Sequence, residues 1–356
     1  MELTDQTIDR AGESASAHRE KPDNIAKISK PGWGYIFERA LNSFTSNGCT
    51  DLAASLTYFT VLSIFPGLLA VVSLLGVFGR GEETTQAILD FIQPYAPSSL
   101  MQLIEGPITQ LTTSTGAGLA LITGVVGALW TASGYVGGFG RALNRVYGVV
   151  EGRPIWKLRP FYLLVTFIMV VIVVIMMLLV LSSGDVLRFF GDFIGLGDTA
   201  VMVWNWARWP VLVLFAVVLI ALLYYATPNI KQPKIHWLSP GAIFALVFMA
   251  VAGAAFGFYV SNFGNYNATY GTLGGVIVML LLIWIMNNVL LFGAVIDSEL
   301  ERARELQAGI KAEDHLRLPP RDVRQAEKMK DARSNLVEQG RALRLDNDRI
   351  DYSEEK

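Results

Sequence analysis

Five long stretches of this chain contain no Asp, Glu, Lys or Arg: residues 52–79, 106–140, 160–184, 209–230 and 235–296, in a sequence that otherwise carries 29 Lys+Arg and 31 Asp+Glu. Each is longer than the ~20 residues that carry an α-helix across a ~30 Å hydrocarbon core. The last, 62 residues long, accommodates two passes, with a turn at the polar run 262–271. The sequence therefore predicts an all-α, polytopic membrane protein with six transmembrane helices, near 53–78, 116–140, 159–182, 204–226, 239–261 and 271–296. A soluble helix bundle needs amphipathic stripes, whereas 163–181 is apolar all round except for Thr166. With 52% apolar and 17% charged residues, the chain also departs from the soluble norm of about 25% charged.

Basic residues flanking membrane spans stay on the cytoplasmic side. With both termini inside, 26 of the 29 fall inside and only Arg80, Arg188 and Arg208 outside. Tryptophan favours the headgroup level. Trp33, Trp156 and Trp237 fall at the inner boundary and Trp204, Trp206 and Trp209 at the outer one, while Trp130 and Trp284 lie deeper and read as packing. No cleavable signal peptide is expected, because residues 1–31 lack an apolar core. The single cysteine, Cys49, allows neither an intramolecular disulfide nor a metal framework.

Four units follow: a disordered cytoplasmic N-terminus (1–31), an amphipathic interfacial helix (32–50), a six-helix transmembrane domain (51–300) and a charged, partly helical cytoplasmic tail (301–356). In 34–47, Trp33, Phe37, Leu41 and Phe44 recur at helical spacing beside Glu38 and Arg39, which suits a helix on the membrane surface and equally one packed on the bundle. The acidic outer segment 80–115, broken by Pro94, Pro97 and Pro107, reads as two or three short amphipathic helices. A second outer segment, 185–203, repeats that mixture. The tail from Asp297 carries 13 basic and 15 acidic residues, a solvated surface without the basic excess of a nucleic-acid binding segment.

Chemistry is sparse. His18, His236 and His315 are not paired with other ligands at metal spacing, and no nucleophile-elbow, phosphate-loop or zinc-protease pattern is present. No cofactor and no enzymatic activity are expected. Ionisable groups within a bilayer mark ion and proton pathways, and beyond Arg159, the first residue of the third, the expected spans hold only Arg208, at the outer rim. The interior offers small and neutral polar residues instead. Gly124-x-x-x-Ala128 and Gly134-x-x-x-Gly138 in the second span, and Ala250-x-x-x-Ala254 and Gly253-x-x-x-Gly257 in the fifth, suit close helix packing. Asn287 and Asn288 lie in the inner half of the sixth span and suit an interhelical hydrogen bond or a polar cavity wall. Pro66 interrupts the first span; Ser63 can satisfy the freed carbonyl, and Tyr58 and Thr60 add polar atoms. With Asn262, Asn265, Tyr266, Asn267 and Tyr270 of the outer turn, Tyr58, Ser63, Pro66, Asn287 and Asn288 form a candidate neutral groove. The linker after the second span sets Arg141, Arg145, Arg153, Lys157 and Arg159 against one acid, Glu151. That is positive-inside anchoring or a lipid-headgroup site, for which Arg141, Asn144, Arg145 and Arg153 are the candidates.

Several segments together resemble a known family. Residues 51–66 (DLAASLTYFTVLSIFP), 143–148 (LNRVYG) with Arg153-Pro154-x-Trp156, 259–271 (YVSNFGNYNATYG) and 293–299 (GAVIDSE) resemble, in order, the signatures of the YihY/virulence factor BrkB family across roughly 35–305. The resemblance implies a six-helix bacterial inner-membrane protein associated with envelope integrity or resistance to host killing, with no agreed catalytic residues. Some members have been proposed to move lipids, and others carry an older ribonuclease label that the residues above do not support. Two readings follow: a protein that handles or translocates lipid or another envelope component, with membrane lipids as partners, or a non-catalytic scaffold for envelope protein partners. Nucleic acid is not an expected partner.

Overall fold

A computed structural model of the chain describes residues 3–12, 21, 30–77, 117–181, 198–232, 239–263 and 272–354. The described residues are all-α apart from an isolated antiparallel bridge between Ile230 and Pro320. In chain order the helices are α1 (Leu3–Ala11), α2 (Lys30–Ser46), α3 (Cys49–Val77), α4 (Ala117–Val146), α5 (Ile155–Leu181), α6 (Asp198–Ala226), α7 (Pro240–Phe263), α8 (Thr272–Gln307) and α9 (Arg324–Glu354). Outer segment 80–115, and 185–197 of the second one, lie outside the described residues.

Among the described residues, four helical segments are long and apolar enough to cross a membrane: Ile155–Val180, Val203–Ala226, Pro240–Tyr259 and Gly274–Gln307, with Cys49–Ile64 as a shorter apolar helix. These correspond to the third to sixth expected spans and to part of the first. Expected span two coincides with α4, whose glycines, Ser133, Thr131 and Tyr135 dilute its apolar character.

Helix α8 is the hub, packing on α2, α3, α4 and α7, while α4 packs along α3 and also against α5. The principal core gathers at one end of the bundle, where Leu56 of α3, Phe139 and Leu143 of α4, and Leu291 and Val295 of α8 meet Ile230, Leu316 and Leu318. Elsewhere the apolar faces are open. Phe167, Val171, Val174 and Leu178 of α5 are all exposed, as suits helices whose outer faces are solvated by acyl chains and gain little by burial against each other.

Two expectations change, and the two readings of the helix at 34–47 prove compatible. Residues 3–11, expected to be disordered, form α1, because tertiary hydrogen bonds hold it: Arg10 donates to the Tyr147 carbonyl (3.1 Å) and the Val150 amide to Thr7 Oγ1 (3.1 Å). Helix α2 buries Ile36 and Ala40, Ile36 against Leu300 and Ala303 of α8, and turns Trp33, Phe37 and Leu41 outward. It thus both packs on the bundle and presents an apolar stripe. The tail is not uniformly a solvated surface: Glu299, Arg302 and Glu305 are buried, as are Ala312, Leu316 and Leu318, and the exposed run begins only within α9.

That buried charge is paired. The Glu299 carboxylate accepts from Ser43 Oγ (2.7 Å) and Arg302 Nε (2.7 Å) and pairs with Arg39 (3.3 Å). Lys21 bridges Glu301 (2.7 Å) and Glu305 (3.0 Å), and Glu305 also accepts from the Arg317 amide (2.8 Å). Buried charges persist only where partners replace water, and here the partners come from α2, the Lys21 segment and the chain after α8.

Of the expected small-residue motifs, Gly134 and Gly138 of α4 pack closely on Leu56 and Phe59 of α3, whereas the pair in α7 does not. A β-carbon on Gly257 would meet nothing within 4 Å, and one on Gly253 only Met286 Cε at 3.6 Å. Instead α7 crosses α8 at Gly241 and Gly293, where a β-carbon on Gly241 would overlap the Gly293 carbonyl oxygen. At this crossing the Asp297 carboxylate accepts from the Gly241 amide (2.7 Å) and from Ser239 Oγ, whose own oxygen caps the Ala242 amide (3.1 Å). An acceptor at the first turn of α7 satisfies otherwise orphaned donors.

Candidate functional site

Of the four candidate headgroup residues, the structure separates two from two. Asn144 is buried: its Nδ2 donates to Glu151 Oε2 (3.0 Å) and its Oδ1 accepts from the Asn229 amide (2.7 Å). Arg153 makes a bidentate pair with Glu151 (2.7 and 2.8 Å), donates to the Thr227 carbonyl (2.7 Å) and lies over the Phe161 and Tyr162 rings. Burial works against its charge, but the hydrogen bonds and charge of Glu151 outweigh it and hold the pKa above the ordinary arginine value. Both side chains are thus committed to the protein itself.

Glu151 is the partner they share, and Asn144 also bonds a residue that sequence reasoning missed. Asn229, fully buried after α6, donates to the Val150 carbonyl (3.0 Å) and the Asp322 carbonyl (2.9 Å), and accepts from the Asp322 amide (3.2 Å). Arg321 donates to the carbonyls of Ile230 (2.8 Å), Ala226 (3.3 Å) and Tyr225, capping the end of α6 as a cation does. Three connections, 147–154, 227–232 and 317–325, are therefore tied into one brace across the basic end of the bundle. Arg324 holds the Asp322 carboxyl down at about 2, so that pair stays ionised at neutral pH. The Asn229 signal in the sequence was only a polar turn, Thr227-Pro228-Asn229, and nothing local says what such a turn will bond.

Arg141 and Arg145 differ. Both are exposed on the last turns of α4, and neither has a carboxylate partner within ion-pair distance among the described residues. The Arg141 guanidinium lies 5.8 Å from the Phe59 ring centroid, a contact of modest strength at an exposed site. Arg145 sits beside Gly48, at the junction of α2 and α3.

The groove candidates divide likewise. Asn287 is buried, donating to Thr57 Oγ1 (3.2 Å) and accepting from the Tyr135 hydroxyl (3.0 Å). It therefore joins α8 to α3 and α4 by interhelical hydrogen bonds, each worth on the order of 1 kcal/mol. Asn288 donates to the Trp284 carbonyl (2.8 Å) within α8, and its Oδ1 has no partner among the described residues. Tyr58 is exposed, away from Asn287. Ser63 donates to the Phe59 carbonyl (2.7 Å) and not to the carbonyl of residue 62, because a hydroxyl in mid-helix reaches back most easily to the residue four before it. Asn265, Tyr266, Asn267 and Tyr270 lie outside the described residues, as do the side chains of Pro66 and Asn262. Trp130, expected to pack, is 60% exposed on α4.

Apolar spans ending in a braced basic rim define a helical multi-pass membrane protein. This chain belongs to the virulence factor BrkB family, whose model matches residues 40–316. Among its relatives, YfkH of Bacillus subtilis (strain 168), whose name calls it ribonuclease-like, is 34% identical over 271 residues, covering 76% of this chain and 97% of that protein. A UPF0761 membrane protein of Aeromonas salmonicida (strain A449) is 25% identical, covering 73% of this chain and 87% of that one. Another, from Haemophilus influenzae (strain 86-028NP), is 25% identical over 78% of this chain and 98% of its own length. No solved structure matches the chain.

Proposed function

We propose that this chain is a six-span bacterial inner-membrane protein, with both termini cytoplasmic, that handles or translocates lipid or another envelope component. The substrate would meet the protein at Arg141 and Arg145 on the cytoplasmic rim. The observation that carries this reading is the contrast between those two arginines, exposed and without a carboxylate partner among the described residues, and Arg153, which is neutralised internally by Glu151. A basic residue near the membrane surface attracts anionic lipid by about 1 kcal/mol. A merely structural rim would gain more by pairing its charges. The neutral interior, with Asn287 bonded across three helices, suits a path for uncharged contacts.

Replacing both Arg141 and Arg145 by Ala is expected to lower the anionic lipid that co-purifies with the folded protein by about fivefold or more, and to weaken the cell envelope of the host. Unchanged lipid content and envelope would remove the reading. We further read the chain as non-enzymatic: the same purified protein should leave RNA intact with or without divalent metal, and turnover abolished by one point substitution would overturn this. Reporter fusions after Gly195 should read as external and those after Lys234 or Lys356 as cytoplasmic; a cytoplasmic signal at Gly195 would sink the six-span arrangement.

A further inference from the structure

On α4, Trp130, Gly134, Gly137, Arg141 and Arg145 follow one another at intervals of four, three, four and four, so at about 100° per residue they share one face of the helix. The neighbours of the glycines show what flanks that face. A β-carbon on Gly134 or Gly138 would lie 3.0 or 3.2 Å from the Phe59 ring of α3, whereas one on Gly137 would lie 3.3 Å from the Tyr162 ring of α5. The strip is thus a shallow channel with a backbone floor and an aromatic wall on each side. Trp130 and Arg141, toward its two ends, are exposed, while Gly137 between them is covered by Tyr162 and the Arg141 guanidinium.

Two guanidinium groups reach into this channel. Arg141 NH1 is 3.6 Å from the β-carbon position of Gly137, one turn back along α4 toward the apolar part of the span. Arg159, exposed near the start of α5, places its guanidinium 5.8 Å from the Trp130 ring, and Trp130 lies eleven residues before Arg141, roughly 16 Å of helix. An arginine near the end of a span ordinarily extends its charge toward water. Both of these point the other way, and neither has a carboxylate partner among the described residues. Two like charges leaning into the hydrocarbon side of a rim call for an anion that comes from the bilayer.

We infer that Arg141 and Arg159, along the strip of α4 between Phe59 and Tyr162, bind the headgroup of an anionic phospholipid, whose acyl chains run past Trp130. Arg159 is thereby a lipid ligand in addition to the rim pair. The inference rests on the lipid-handling reading and adds to it the substrate class and the side of the bundle that the lipid occupies. Phosphate suits guanidiniums because their planar donors match its oxygens. A free phosphate would have the same chemistry, but guanidiniums turned toward the apolar part of the span favour a lipid.

The test uses the full-length protein extracted from vesicles of equal parts phosphatidylglycerol and phosphatidylcholine, with retained lipid measured per protein. Arg159→Ala is expected to lower retained phosphatidylglycerol about fivefold, with phosphatidylcholine unchanged, and Arg159→Lys, which keeps the charge without the planar donors, to restore part of it. Arg344→Ala, exposed on α9, should behave as the parent. Full retention in Arg159→Ala alongside loss in the Arg141→Ala/Arg145→Ala protein would overturn the inference and leave the lipid-handling reading standing. Full retention in both would overturn both. Displacement of the lipid by millimolar inorganic phosphate, or an equal loss in Arg344→Ala, would also overturn it.

Discussion

Glu299→Ala should destabilise the protein by about 3–5 kcal/mol, the range measured when one member of a buried ion pair is removed. Glu299 is 1% exposed, and its carboxylate is the shared acceptor for Arg302, Arg39 and Ser43. Its loss strands the Arg302 charge, which is 6% exposed and keeps a hydrogen bond to the Ala312 carbonyl (2.8 Å) but no carboxylate partner among the described residues. The penalty comes from that uncompensated charge more than from the attraction itself, so the double variant Glu299→Leu/Arg302→Met should recover a large part of the loss. Glu338→Ala, fully on the surface of α9, should change stability by less than about 0.5 kcal/mol. Unfolding of the detergent-solubilised protein by increasing SDS, followed by tryptophan fluorescence, measures all three. A Glu299→Ala protein as stable as its parent would mean that α2 and the end of α8 are not held by this network.

Gly293→Ala should cost about 3 kcal/mol, at the upper end for overpacking a well-filled site. The added β-carbon would stand 2.5 Å from the Gly241 carbonyl oxygen and 2.6 Å from the Tyr224 hydroxyl. Backbone cannot step aside as a side-chain tip can, so α7 and α8 must separate, and Tyr224 must give up its hydrogen bond to the Leu290 carbonyl. The informative comparison is Gly257→Ala, which meets nothing within 4 Å and should be neutral or slightly stabilising, since Ala is the better helix former. Equal stability of the two variants in the same SDS titration would refute the Gly241–Gly293 crossing.

The contrast between these glycines shows where the sequence stops being informative. Gly253-x-x-x-Gly257 has the spacing of a close-packing motif, yet that spacing says only that one face of a helix is smooth. Which smooth face meets another helix depends on rotation and crossing point, set by all the contacts of α7 with α8. The small residues that do meet, Gly241 and Gly293, are 52 positions apart and on different helices. The same holds at the rim. Arg141, Asn144, Arg145, Arg153 and Arg159 are equivalent in a count of basic and polar residues near a span. Their fates diverge because Glu151 and Asn229 lie within reach of only two of them.

By itself the sequence determined the class of protein, the approximate positions of four of its spans and its family. It could do so because hydrocarbon solvates no charge and demands internally bonded backbone, a constraint that acts residue by residue along the chain and so leaves a linear record. The tertiary structure alone decided which charges are spent inside the protein and which face outward. It also decided that the chain after α8 folds back to bury Glu299, Arg302 and Glu305, and that Arg159 leans over Trp130. Those outcomes depend on pairings between residues dozens to hundreds of positions apart, such as Lys21 with Glu301 and Asn229 with Asp322. Such pairings are set by how helices are rotated and crossed against one another, which leaves no local mark in the order of the residues.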